Sequence, residues 1–347
     1  MATNFIQNAL FSWYELNKRD LPWRGINDPY KIWLSEVILQ QTKVNQGLSY
    51  YLKFVKAFPT VDKLALADES VVLKLWQGLG YYSRARNLHN AAKQIHKMGK
   101  FPNTYNELLK LKGVGEYTAA AISSFAFNEP KAVVDGNVYR VISRLFGVST
   151  PIDSSAGKKE FQNIANSILP KQLAGDWNQA IMEFGALQCT PKSPNCNCCP
   201  LIGLCEAHKK NKVSELPFKK GKTKKQTRFI YYVFIKSFGN TVLVKRPENG
   251  IWGNLYEFPN VVTNEKINTE LALKNIMDMF SIDEGCVKVN SIQESIKHIL
   301  SHRIFYCTFI EVEVTSLLIP DNFVSTSIQE LNSFPVSRLM EKYLNEC

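Results

Sequence analysis

From residue 1 to about residue 185, apolar side chains recur at three- and four-residue steps, as in 43–58, 70–77, 83–97, 137–146 and 158–169. That spacing lays one stripe along a helix. Breakers such as Phe58-Pro59, Phe101-Pro102 and Gly113-Val114-Gly115 separate the stripes, so the pattern predicts an all-α domain of about ten helices. Beyond residue 228 the texture changes. Segments 228–237, 240–246 and 303–314 are rich in β-branched and aromatic residues with partial alternation, which predicts strands. Helical stretches near 268–280 and 336–345 accompany them, and the second domain reads as α+β. Between the two, residues 209–227 are Lys-rich and lack apolar periodicity, as an exposed linker does. The division expected is 1–208, a basic linker 209–227, and 228–347.

Length supports two domains, because 347 residues exceed what one core usually serves. A hydrophobic content of 45 % with 12 % aromatics excludes a disordered chain. The opening residues carry no basic leader, and no apolar run is long enough to span a bilayer. The expectation is a soluble, unprocessed, intracellular protein with no membrane partner. A net charge of +11 points to a polyanionic partner. Residues 206–228 hold nine Lys or Arg against Glu206 and Glu215, so much of the excess lies on the tether, and solubility alone is the competing reading.

Four of the eight cysteines, Cys189, Cys196, Cys199 and Cys205, fall within seventeen residues as C-x6-C-x2-C-x5-C. A reducing compartment disfavours disulfides, which leaves zinc or an iron–sulfur cluster, both of which four thiolates can hold. Cys198 stands beside the set as a substitute ligand, and Cys286, Cys307 and Cys347 are scattered thiols. Lys112-Gly113-Val114-Gly115 opens a helix; its paired glycines permit a tight turn and its free N–H groups suit a phosphate oxygen, although a plain corner has the same sequence. Asp135 is placed at a helix start, where an N-cap role worth about 1 kcal/mol is the ordinary explanation. Glu36 lies among Ile32, Leu34, Val37 and Ile38; burial there would raise its pKa and let it act as an acid.

The cysteine spacing after a helical domain resembles the cluster loop of the endonuclease III superfamily of DNA glycosylases, and segment 104–120 resembles its helix-hairpin-helix. LPWR (21–24), SEVILQQT (35–42), GLGYYSRARNL (78–88) and VDGN (134–137) resemble the adenine DNA glycosylase family over most of the first 205 residues. The resemblance implies a [4Fe–4S] cluster on Cys189, Cys196, Cys199 and Cys205 that folds a DNA-contacting loop carrying Lys192. It implies a backbone grip by Lys112, Gly113 and Gly115, with Gln41 and Tyr81 entering the base stack. Glu36 would protonate a flipped adenine and Asp135 would stabilise positive charge on the sugar, Asn137 and Tyr117 supporting them. Trp23, Arg24, Leu39 and Gln179 would line the adenine pocket. Lyase members of the superfamily carry a lysine where this chain has Tyr117, which implies a monofunctional hydrolase.

Residues 250–259 resemble a Nudix strand and turn, but 265–280 lack the acidic metal-holding helix of a pyrophosphohydrolase. A recognition domain is expected instead. Leu300-Ser301-His302 matches a family loop of the form aromatic-Ser-His that reads 8-oxoguanine, making Ser301 and His302 candidate readers and leaving Leu300 without the aromatic ring. The expected partner is duplex DNA with adenine opposite 8-oxoguanine or guanine, bound by a monomer, in a bacterial cytoplasm. The alternatives are another mismatch or oxidised-base glycosylase of the superfamily and a non-catalytic damage sensor.

Overall fold

The computed structural model describes residues 2–221 and 225–346; Lys222 and Lys224 of the basic stretch and the scattered Cys347 lie outside the described residues. Two compact units result, one of residues 2–66 with 87–221 and the other of 67–86 with 225–346.

Helices in chain order are α1 (Ala2–Asn17), α2 (Pro29–Leu39), α3 (Val44–Ala57), α4 (Val61–Ala65), α5 (Glu69–Trp76), α6 (Ser83–Met98), α7 (Tyr105–Leu108), α8 (Glu116–Phe127), α9 (Gly136–Phe146), α10 (Ser155–Ser167), α11 (Ala174–Leu187) and α12 (Glu206–Lys209). Of these, α5 and the first turn of α6 belong to the second unit. The helical periodicity is borne out to within a few residues, except that the first helix of the helix-hairpin-helix expected over 104–120 is the single turn α7. Local chemistry explains α2: Asp28 accepts from the backbone N–H groups of Tyr30 and Lys31, and Pro29 occupies the first helical position. This helix buries Ile32 through Ile38 without a break, Glu36 included. Its end is abrupt, because Gln41 adopts a left-handed φ of 58°. The first unit's core joins α1, α9, α10 and α11 through Leu10, Ile142, Phe161, Trp177 and Phe184. Close approach of α11 depends on Gly185, where a Cβ would lie 2.7 Å from the Cβ of Asn137 on α9.

Strands are β1 (Gln226–Lys236), β2 (Asn240–Lys245), β3 (Tyr256–Glu257), β4 (Asn260–Thr263), β5 (Val287–Ile299), β6 (Arg303–Val314) and β7 (Phe323–Ser327), with helices α13 (Thr269–Met279) and α14 (Arg338–Glu346). They form a four-stranded sheet, β4-β1-β6-β5, and a three-stranded one, β3-β2-β7. Central β1 buries six consecutive residues, Ile230 to Ile235, as a strand covered on both faces must. It pairs in parallel with β6 from Gln226↔Arg303 to Lys236↔Glu313. The other edge, β5, pairs antiparallel with β6 and is interrupted by bulges after Val289 and Gln293.

The basic stretch 209–227 differs from the free linker that its composition suggests. Leu216 is buried, its carbonyl accepts from Arg144 Nε at 3.1 Å, and the Phe218 carbonyl accepts from the Ile152 N–H at 3.0 Å. Asp153 accepts from the N–H groups of Lys220 and Gly221. One buried apolar anchor, Leu216, and satisfied carbonyls therefore strap residues 210–221 onto the first unit.

Candidate active site and thiol cluster

A cavity of about 860 Å³ opens in the first unit among α2, α8, α9 and α11. Glu36, Tyr117, Asp135 and Asn137 line it, as do Trp23, Arg24, Leu39, Gln179 and Gln41. The side chains expected to do chemistry and those expected to hold a base thus share one chamber.

Glu36 is 8 % exposed. Burial dominates its titration and, with the nearby Asp135 charge, outweighs the opposing effects of Tyr117 and Arg24, pushing its carboxyl up to about 7. The Tyr117 hydroxyl donates to Glu36 Oε2 at 2.7 Å, and burial beside two carboxyls drives the phenol's own pKa well up, so it stays a donor. Asp135 caps α9: Oδ1 accepts from the N–H groups of Asn137 (2.9 Å) and Val138 (2.8 Å), and Oδ2 from Asn137 Nδ2 (2.7 Å). The cap and the cavity are compatible, since capping uses Oδ1 and leaves a lone pair of Oδ2 beyond its bond to Asn137. Burial raises the Asp135 carboxyl and these three donors oppose the rise.

Asn137 is itself fixed by Arg140, whose Nη2 donates to Asn137 Oδ1 at 2.9 Å and whose Nε donates to the Cys189 carbonyl at 2.7 Å. Asn178, fully buried, holds the segment before Asp135 through the Val133 N–H at 3.1 Å and the Lys131 carbonyl at 2.8 Å. Sequence reasoning missed Glu183. It lies on α11, 1 % exposed and facing the cavity, and accepts forked pairs of hydrogen bonds from both Arg19 and Arg24. Burial would raise its carboxyl, yet the two guanidinium groups prevail and hold it at about 2. The signal was available in the i, i+4 spacing from Gln179, which puts both on one helical face. Trp23 packs edge-on against Tyr51, ring centroids 4.9 Å apart.

Residues 34–170 match the family model of the "HhH-GPD superfamily base excision DNA repair protein", and residues 230–346 match the NUDIX domain model. An adenine DNA glycosylase of Buchnera aphidicola is 33 % identical over 99 % of this chain and 97 % of its own length. This chain belongs to the adenine DNA glycosylase family. A rat adenine DNA glycosylase is 42 % identical over 62 % of the chain and 44 % of that protein. Among solved structures, a thermostable thymine-DNA glycosylase is similar at TM-score 0.56 and 29 % identity, covering 60 % of this chain and 97 % of that one. An endonuclease III in complex with DNA shares the fold at TM-score 0.52 and 24 % identity, covering 61 % and 98 %. The family and the fold make this member of the adenine DNA glycosylases a base-excision repair enzyme.

Lys112, Gly113 and Gly115 are exposed in the turn that leads into α8. Gly113 has φ 76°, and a Cβ there would lie 2.5 Å from the Asn87 side chain, so only glycine fits. Gly115 caps α8 with no side-chain bond to its first N–H groups, the arrangement that leaves donors for an anion.

Cys189, Cys196, Cys199 and Cys205 of this family member line one void of about 30 Å³ together with Arg144. Cys198 is exposed and not part of the lining. Arg144 Nη1 lies 3.4 Å from Cys189 Sγ. Burial and the neighbouring thiols raise the Cys199 thiol to about 11. No group of three or more His, Cys, Asp or Glu among the described residues is placed to hold a single metal ion. In the second unit of this glycosylase, Ser301 and His302 are exposed in the turn joining β5 to β6, and the Tyr81 hydroxyl is hydrogen-bonded to the Ser301 hydroxyl. No helix among the described residues is long and apolar enough to cross a membrane.

Proposed function

We propose that the protein is a monofunctional adenine DNA glycosylase that hydrolyses the N-glycosidic bond of adenine opposite 8-oxoguanine or guanine in duplex DNA. The observation that carries this reading is the joint presence, in one cavity, of Glu36 with its carboxyl at about 7 and the capped carboxylate Asp135. Adenine is a poor leaving group unless protonated. Glu36 in its acid form donates a proton to N7 of the flipped base, and the C1′–N9 electron pair leaves with the adenine. Asp135, held by α9, stabilises the positive charge left on the sugar. Water then adds to C1′ and its proton returns to a carboxylate. Trp23, Arg24, Leu39 and Gln179 hold the base; Tyr117 in place of a lysine leaves no amine for a Schiff base.

Lys112, Gly113 and Gly115 grip the phosphate backbone, and Gln41 and Tyr81, both exposed and with left-handed backbones, fill the gap left by the flipped nucleotide. Ser301 and His302 read the opposite base. Cys189, Cys196, Cys199 and Cys205 fit a [4Fe–4S] cluster: four soft donors line one void and an arginine lies beside one sulfur. When bound, the cluster supplies order to the 189–205 loop and its Lys192. A DNA substrate and bacterial relatives imply the cytoplasm as the working compartment, and the reading needs only a monomer.

The test is single-turnover base release from duplexes with adenine opposite 8-oxoguanine, adenine opposite guanine, and thymine opposite guanine. Free adenine from the first two is expected. Thymine release, or no release from any, would contradict the proposal.

A further inference from the structure

A loop of the second unit, 246–255, is more constrained than its sequence explains. Trp252 and Asn254 take left-handed φ angles of 61° and 62°, a conformation that a bulky side chain keeps only where packing enforces it. The enforcement is visible. The Trp252 ring is buried against Phe305 (5.3 Å) and His298 (5.8 Å), with the Arg246 guanidinium 5.7 Å from its centroid. Gly253 between them has no room for a Cβ, which would come within 2.1 Å of the Glu248 carbonyl oxygen. So held, the loop presents two polar groups outward. The Gly253 carbonyl accepts from Arg86 Nη1 at 2.6 Å, and the Asn254 amide donates to Glu69 Oε1 at 2.6 Å.

Those two partners bracket Tyr81 in the chain, Glu69 at the start of α5 and Arg86 in the first turn of α6. Tyr81 is another left-handed residue, φ 47°, with its ring half exposed and its hydroxyl on Ser301, 220 positions away. Lys74 Nζ and the Tyr82 hydroxyl add bonds to the carbonyls of Phe334 (3.1 Å) and Val336 (3.0 Å). We propose that loop 246–255 is the positioning device for the Tyr81–Ser301 pair, which makes Asn254 and Glu69 specificity-determining residues for the base opposite the excised adenine. This rests on the reading of Ser301 given above. Freed at one end, segment 69–86 no longer fixes the direction of the Ser301 hydroxyl. The Glu36 cavity is lined by neither Asn254 nor Glu69 and keeps its groups.

The test uses the full chain and three variants. Asn254→Gly retains a residue at home in the left-handed region while removing the amide. Glu69→Ala removes the acceptor, and Glu69→Gln keeps one. Single-turnover rates are measured on adenine opposite 8-oxoguanine and opposite guanine. Asn254→Gly and Glu69→Ala should each lower the ratio of the two rates by about five- to tenfold, a loss carried by the 8-oxoguanine duplex. Glu69→Gln should keep the parent's ratio, and Asn254→Gly combined with Ser301→Ala should be no worse than Ser301→Ala alone. Unchanged ratios in the two deletion variants overturn the inference alone, as does an equal fall of both rates with a lowered melting temperature, which marks a structural role only. A parent with no preference for 8-oxoguanine overturns the reading of Ser301 and this inference with it.

Discussion

Burial of Glu36, with Tyr117 as a hydrogen-bond donor, moves its titration from an ordinary 4.5 to about 7, into the range where an acid is half loaded at neutral pH. Excision should therefore hold steady at mildly acid pH and fall as pH rises past about 7, measured as single-turnover rate against pH. Tyr117 stabilises the ionised carboxylate, so Tyr117→Phe should move that alkaline limb to higher pH; a move to lower pH would contradict the assignment. The same shift acts on stability: a raised folded pKa means that Glu36 favours the fold fully below 4.5 and progressively less as pH rises through about 7. Glu183 works in the opposite sense. Its depressed carboxyl contributes stability present above 4.5 and lost as pH falls through about 2. Glu183→Ala should cost about 3 kcal/mol by denaturant melting, because it leaves Arg24, and partly exposed Arg19, without their shared anion. Glu36 and Asp135 were legible as residues because a carboxylate inside an apolar stripe and an aspartate at a helix start are visible in one dimension. Glu183 was not: its importance comes from two arginines more than 150 positions earlier in the chain.

Helices were the most legible elements, since a 3.6-residue stripe records the face they bury. Three features of the second unit escaped the pattern. Strand β5, VKVNSIQESIKHI, is an exposed edge whose polar and apolar residues do not alternate cleanly across its two bulges; β4 and β7 are four and five residues long. Segment 210–221 looked like a tether because lysines outnumber its one buried apolar anchor, Leu216. Contact between helices depends on single positions that carry no periodic signal. At Gly185 an added methyl group would meet Asn137 at 2.7 Å. Gly185→Ala should destabilise the protein by about 1–3 kcal/mol. It should also lower the excision rate more than DNA affinity, by displacing the amide that supports Asp135; single-turnover rates and duplex titrations on one preparation separate the two effects.

At the scale of the molecule, two domains and a helical glycosylase followed by a sheet-bearing domain were readable from the change in texture near residue 228. The membership of segment 67–86 was not, because chain order places it among the helices while its partners Phe334, Val336 and Gly253 lie more than 160 residues downstream. A chain ending at residue 221 should consequently melt at lower temperature than the full protein and lose discrimination between 8-oxoguanine and guanine. A net charge of +11 predicts that duplex affinity falls steeply between about 50 and 200 mM salt through counterion release. The central claim remains that a buried, protonatable Glu36 and a capped Asp135 act on one extruded nucleotide. Its most direct test is Glu36→Gln, which preserves shape and removes the transferable proton, assayed on a duplex with adenine opposite 8-oxoguanine. The account predicts a single-turnover rate at least about a hundredfold below the parent's, with duplex binding retained; adenine release at the parent's rate would contradict it.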